Sequence, residues 1–205
     1  MLNLIHAPRS RSSRILWLMY EMGITDKVDI TPVDIRRFDG SGQRDPANLH
    51  PEGKVPMLLH DDTVVMETGA VMLYLTALFP DSGLAPKPGT AQRGAFLTWL
   101  FWYGSVMEPV LTLAAAGITH PYLTAGIRGV PEVNARLHAA LDQGPWLLGD
   151  QFSAADLLCA SPYNWFREAT PDDPLIESWV ARVMARPSIV QTSAYDTALV
   201  AAQAA

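Results

Sequence analysis

Apolar residues recur along this chain with two periods, and the change of period divides it. Leu2-Asn3-Leu4-Ile5-His6 is a short apolar run of strand length. Beyond the polar stretch 8–13, Ile15, Leu18, Met19 and Met22 fall at i, i+3, i+4 and i+7. That is one face of a helix, and Gly23 is placed to end it. Residues 28–33 alternate weakly, and Pro32 among them predicts an edge strand, because proline has no N–H for a second neighbour. Met57–His60 and Thr63–Met66 flank Asp61-Asp62 in a hairpin pattern. Val71, Met72, Leu75 and Leu78 share one side of a helix predicted over 69–79.

Residues 80–89 hold three prolines and two glycines, the composition of a linker. No convincing strand follows. A long apolar helix is predicted over 90–113, carrying Trp99, Trp102 and Tyr103 and kinked or broken at Pro109. Further helices are predicted over 131–141, 153–167 and 174–186. The last has Ile176, Trp179, Val180, Val183 and Met184 on one face. The Ala-rich tail from Ala194 reads as a final helix. The expected order is β-α-β-α-β-β-α, then an all-α half. This is an α/β domain over 1–80, a linker over 81–89 and a helical domain over 90–205.

Composition narrows the chemistry. Of 205 residues, 49% are hydrophobic and 18% charged, which suits a globular fold. Fifteen Lys and Arg against 21 Asp and Glu give a net charge of −6, which argues against nucleic acid or a membrane surface as partner. No apolar run reaches the roughly 18 residues of a membrane helix, and residues 1–7 are too short for a signal-peptide core. Cys159 is the only cysteine, so no intrachain disulfide or thiolate zinc cluster can form. A cytoplasmic protein is the simplest reading. The five histidines show neither HxH nor HExxH spacing, so no metal is expected.

Four motifs remain. Ser10, Ser12 and Ser13 bring three hydroxyls to the start of the first helix, where they either cap it or help attract an anion. Val55-Pro56 precedes an apolar strand, where Pro56 either starts the strand or forms a cis bond that presents the main chain of Val55 to a ligand. Glu67-Thr68 stands at a strand-to-helix turn; Thr68 caps the helix, or the pair holds both charged ends of an amino-acid moiety. Ser153 and Asp156 make an S-x-x-D capping box, a folding signal.

In this order and spacing the four resemble the glutathione transferase superfamily over nearly the whole chain. The resemblance implies a thioredoxin-like first domain, a cis Pro56, glutathione as co-substrate and a homodimer. It places Ser10 where serine-type members keep the hydroxyl that activates glutathione, with Ser12 and Ser13 as rivals. Lys54 and Val55 stand where the family contacts the glycyl and cysteinyl parts, and Glu67 and Thr68 where it binds the γ-glutamyl end. Tyr103 and Met107, one turn apart on the aromatic helix, are the candidates for the wall of a second-substrate pocket taking a small hydrophobic electrophile. The chemistry is affordable. Lowering a thiol pKa of about 8.5 by about two units takes roughly 2.7 kcal/mol. One charge-assisted hydrogen bond supplies about 1.5–3 and a helix N-terminus about 0.3–1. A non-catalytic binding protein, or a glutathione-dependent lyase, isomerase or reductase, would share the same first half.

Overall fold

The computed structural model describes residues 1–203. β1 (Leu2–His6) lies inside a four-stranded sheet of order β2-β1-β3-β4. Its apolar side chains account for that place, since Leu4 and Ile5 are buried. β2 (Asp29–Pro32) runs parallel to β1 with His6 opposite Pro32, and it forms an edge, as Pro32 requires. β3 (Met57–His60) is antiparallel to β1, with Ile5 opposite Met57, and the hairpin partner β4 (Thr63–Met66) closes the other edge. α1 (Ser13–Met22) is buried from Ser13 to Met19. It stops at Gly23, whose φ of 63° allows Ile24 N–H to reach back to Met19 O at 3.1 Å. α2 (Thr68–Leu78) follows β4.

The helix expected between the second and third strands is absent. Residues 33–56 are irregular chain. Asp34 and Asp45 hold this stretch by side chain: Asp34 accepts from Ile35 and Gln43 N–H, and Asp45 from Asp34 and Ala47 N–H. Aspartates that capture nearby amides compete with a helical ladder, and Pro46 and Pro51 break it further.

The chain divides into two compact units, Met1–Ser82 together with the segment from Arg186 onward, and Gly83–Ala185. The far boundary therefore differs from the expected 90–205 domain. The final helix, here α10, spans Pro187–Gln203 and packs on α1. Arg186 forks onto Glu21, with Nε to Oε1 at 2.7 Å and Nη2 to Oε2 at 2.6 Å, and Ser188 Oγ donates to Oε1 at 2.6 Å. Its buried residues are Ser188, Ile189, Thr192 and Asp196. A buried face that is mostly polar leaves no apolar period to read, so the start at Pro187, seven residues before Ala194, was hidden.

Residues 83–185 are helical. α3 (Ala91–Trp102) passes through a π-helical turn, Tyr103–Met107, into α4 (Glu108–Ala115). Pro109 lies in the first turn of α4, and the wider π turn before it absorbs the lost hydrogen bond where a break was expected. α5 (Pro121–Ile127), unanticipated, is capped by His120, whose side chain accepts from Tyr122 N–H. α6 (Val130–Leu141) and α9 (Pro174–Met184) fall where expected. The helix expected over 153–167 is two, α7 (Ala154–Ala160) and α8 (Pro162–Trp165), divided at Ser161 by the following proline. Among the described residues no helix is long and apolar enough to cross a membrane.

The Ser153–Asp156 box forms as expected. Asp156 is fully buried. Its Oδ2 accepts from Ser153 N–H at 2.9 Å, and its Oδ1 from Leu147 N–H at 2.9 Å and Trp179 Nε1–H at 3.0 Å. Burial pushes this carboxyl above its ordinary range, against the pull of those donors. Asp156→Ala strands four donors, the Ser153 hydroxyl included, so we expect a loss of roughly 3 kcal/mol, read as a drop of about 6–12 °C in thermal midpoint. Asp156→Asn keeps one acceptor and should lose less.

Candidate functional site

The loop joining β1 to α1 turns back on itself through its own hydroxyls. Ser10 Oγ donates to Ala7 O at 2.7 Å, lies 2.9 Å from Ser12 Oγ, and accepts from Ser12 N–H at 3.2 Å. Ser12 Oγ accepts from Ala7 N–H at 3.1 Å and lies 2.8 Å from His6 Nδ1. Ser13 Oγ accepts from Ser10 N–H and donates 2.7 Å to Asp196 Oδ2. The three hydroxyls thus part company. Ser12 and Ser13 are buried and serve as the loop's internal struts, whereas Ser10 keeps some exposed surface at the entrance to α1.

Asp196, from α10, organises this loop and went unmarked in the sequence. It is 4% exposed. Oδ1 lies 2.9 Å from His6 Nε2, and Oδ2 accepts from Arg9 N–H at 2.7 Å as well as from Ser13. With the proton of a neutral imidazole on Nε2, His6 donates to Asp196 and accepts the Ser12 proton at Nδ1. A hydrogen-bonded series Asp196–His6–Ser12 then runs from the interior into the loop, and Ser10 Oγ, its own proton on Ala7 O, stands 2.9 Å from Ser12 Oγ. Burial raises the Asp196 carboxyl, but His6, Ser13 and the Arg9 amide outweigh it and hold it below the ordinary carboxylate range. Its charge is felt by two phenols: burial and then Asp196 push Tyr20 upward, and burial, Tyr20 and then Asp196 push Tyr195 upward. His6 and Asp196 stand 190 positions apart, so no local pattern could have paired them.

The remaining expected residues of this unit lie at two turns. Val55–Pro56 is cis, and Val55 packs in a small apolar cluster with Ile5, Ala7, Val33 and Met57, beside the serine loop. Lys54 is exposed and pairs with Glu52, while its carbonyl accepts from Asn48 Nδ2 at 3.2 Å. His50 is buried and folds the preceding turn, its Nδ1 accepting from Glu52 N–H. Glu67 is exposed at φ 69°, a left-handed conformation that costs a non-glycine residue on the order of 1–3 kcal/mol. Thr68, buried, opens α2 next to it.

Tyr103 and Met107 are placed differently. Both lie in the π-helical turn, 2% and 0% exposed, as core side chains beside α4 and α7. Cys159 is also buried, in α7. Among the described residues no group of three or more His, Cys, Asp or Glu could hold a metal ion.

Because the native Asp196 carboxyl is depressed, its contribution to stability is complete above the unfolded value of about 3.9 and disappears as pH falls through the lower native value. We therefore expect Asp196→Asn to cost roughly 3 kcal/mol at neutral pH and to flatten the stability curve below about pH 4. Denaturant titrations at a series of pH values check both.

Comparison with known proteins places this geometry. The family model described as glutathione S-transferase, N-terminal domain, matches residues 9–78, and the one described as glutathione S-transferase, C-terminal domain, matches 110–187. The disulfide-bond oxidoreductase YfcG of Escherichia coli is 26% identical over 212 residues, covering 93% of this chain and 94% of its own. A glutathione transferase crystal structure from Methylococcus capsulatus shares the fold, with a TM-score of 0.77 at 24% identity, covering 96% of this chain and 99% of that one. A homolog from Sulfitobacter, solved with bound glutathione, has a TM-score of 0.70 at 25% identity, covering 95% of this chain and 98% of its own. The two matched domains account for most of the sequence, and the chain belongs to the glutathione S-transferase superfamily.

Proposed function

We propose that this protein is an enzyme that binds glutathione on its first unit and uses the Ser10 hydroxyl to hold the thiol as thiolate for attack on a hydrophobic electrophile. The observation that carries this reading is the division of labour among the three serines. Ser12 and Ser13 are buried and committed to His6 and Asp196, and Ser10 alone of the three retains exposed surface at the N-terminus of α1. Rotation about its Cβ–Oγ bond moves the Ser10 proton from Ala7 O toward a sulfur atom, and the Ser12 amide continues to donate to its oxygen. The helix N-terminus adds partial positive charge.

In this reading the γ-glutamyl ammonium meets Glu67, its carboxylate meets Thr68 and the start of α2, and the cysteinyl main chain pairs with Val55, with Lys54 toward the glycyl end. The thiol proton leaves to solvent. The thiolate forms a C–S bond to the electrophile, and for an aromatic halide the halide departs. The likeness to the Escherichia coli disulfide-bond oxidoreductase favours a second reading with the same first half. There the thiolate attacks a disulfide and expels one thiolate, and a second glutathione releases the other as oxidised glutathione forms. A cytoplasmic homodimer completes the proposal, and sedimentation velocity measures its assembly.

Titration of thiolate absorbance near 240 nm tests the central claim. In the wild type the bound thiol should ionise about two units below its free value of about 8.5. Ser10→Ala should raise that value by one to two units and lower conjugation of a generic aromatic halide about 10- to 100-fold at neutral pH. Equal activity in both removes Ser10 from the mechanism. Turnover of a disulfide but of no carbon electrophile selects the second reading. Glu67→Gln should raise the KM for glutathione about tenfold with kcat nearly unchanged, since it removes a charge partner of the bound tripeptide and no partner of the sulfur.

A further inference from the structure

A groove of about 380 Å³ opens beside the serine loop, lined by Pro8, Arg9, Arg37, Val200 and Gln203. Its charge runs against that of the chain, which is −6 overall. Among the described residues two guanidiniums share the lining with no carboxylate, and neither is in an ion pair. Arg37 Nη1 donates to Pro8 O at 3.2 Å, which fixes the side chain at one end and leaves most of its five N–H groups for another acceptor. The acid nearest to Arg37 in sequence, Asp39, is hydrogen-bonded by the Ser41 hydroxyl and amide, which chiefly keep its carboxyl below the ordinary range, and the Arg37 charge adds a smaller pull without a direct ion pair. Arg9 occupies the left-handed region at φ 55°, and its N–H is tied to the buried Asp196. Backbone strain at a non-glycine residue, paired with a buried carboxylate that enforces it, marks a side chain placed for a task.

We propose that this groove receives the carboxylate of an anionic electrophile, so that the substrates are organic acids with a reactive carbon and not wholly apolar compounds. The inference rests on the transferase reading and adds a substrate class to it. Arg9 is the residue before Ser10, so the groove opens on the loop that carries the hydroxyl proposed to hold the thiolate. The volume suits a substituted aromatic ring, and Val200 and Gln203 supply an apolar and an amide wall. A guanidinium fork matches a carboxylate in plane. None of Lys54, Val55, Glu67 and Thr68 lines the groove, which argues that its anion comes with the electrophile and not from glutathione.

Kinetics with a matched pair, neutral chlorodinitrobenzene and anionic chlorodinitrobenzoate, test the proposal. The wild type should show a KM for the benzoate about tenfold below that for the neutral compound. Arg37→Gln should raise the benzoate KM about tenfold, leaving the KM for glutathione and the turnover of chlorodinitrobenzene unchanged. Arg37→Lys should recover part of the loss, because it restores charge without the fork. No wild-type preference for the benzoate overturns the proposal. A raised glutathione KM in Arg37→Gln also overturns it, since the groove would then hold the carboxylate of the tripeptide. If Arg37→Gln also impairs neutral turnover by loosening Pro8, Arg9→Gln decides, because it keeps the main-chain bond to Asp196. Its benzoate KM rises, or the proposal falls. Calorimetry with dinitrobenzoate, which has no halide to lose, separates the two claims. Arg37-dependent binding without any turnover of the chloro compounds sinks the transferase reading and keeps the site. Turnover without such binding does the reverse.

Discussion

One buried carboxylate sets the shape of the serine loop. Asp196 accepts hydrogen bonds from the Ser13 hydroxyl and the Arg9 main-chain N–H and contacts the His6 imidazole. An ionised aspartate in the interior is expensive unless its oxygens are fully engaged, and this one is engaged entirely by the segment that carries the proposed chemistry. Loop and carboxylate therefore specify each other. The loop needs an acceptor for its inward-facing donors, and the carboxylate needs those donors to stay charged. Ser10 is left over by that arrangement, with its oxygen oriented by the Ser12 amide and a surface open to solvent.

The helical unit uses a second buried aspartate in the same way. Asp156 caps α7, receives the indole N–H of Trp179 from α9 and the amide of Leu147. The outcomes differ in sign. Asp156 has burial as its dominant influence and is pushed up, whereas Asp196 is held down. The difference follows from the partners: each carboxylate accepts from a serine hydroxyl, but a histidine stands beside Asp196 only, and the Asp156 carboxyl is more deeply buried. One carboxylate serves packing alone, and the other organises the loop that carries Ser10.

Most of what was legible in the sequence was local. Strands β1, β3 and β4 declared themselves by apolar runs, Pro32 marked an edge, Gly23 a stop, and Ser153 with Asp156 a cap, because each of these signals lies within a few residues of the feature it controls. The π turn ahead of Pro109 was not legible, since it is a compromise between a proline and a helix that packing keeps continuous. The loop over 33–56 misled because its apolar residues sit among aspartates that bind main chain. The role of Asp196 was invisible for a different reason. Its helix buries serine, threonine and aspartate, so the face turned inward resembles a surface face, and its partners lie at the opposite end of the sequence. The depth of Tyr103 and Met107 was not legible either, because aromatic content alone does not reveal it.

The discontinuous first unit carries a consequence for biosynthesis. Residues 1–82 leave the ribosome long before residue 196, and the whole helical unit is made in between. Nascent sheet and α1 can pair early, but the serine loop lacks its acceptor until residue 196 has been made. The loop is thus completed only after the whole helical unit, and a ribosome that stalls before α10 releases a chain with a sheet but an unorganised serine loop.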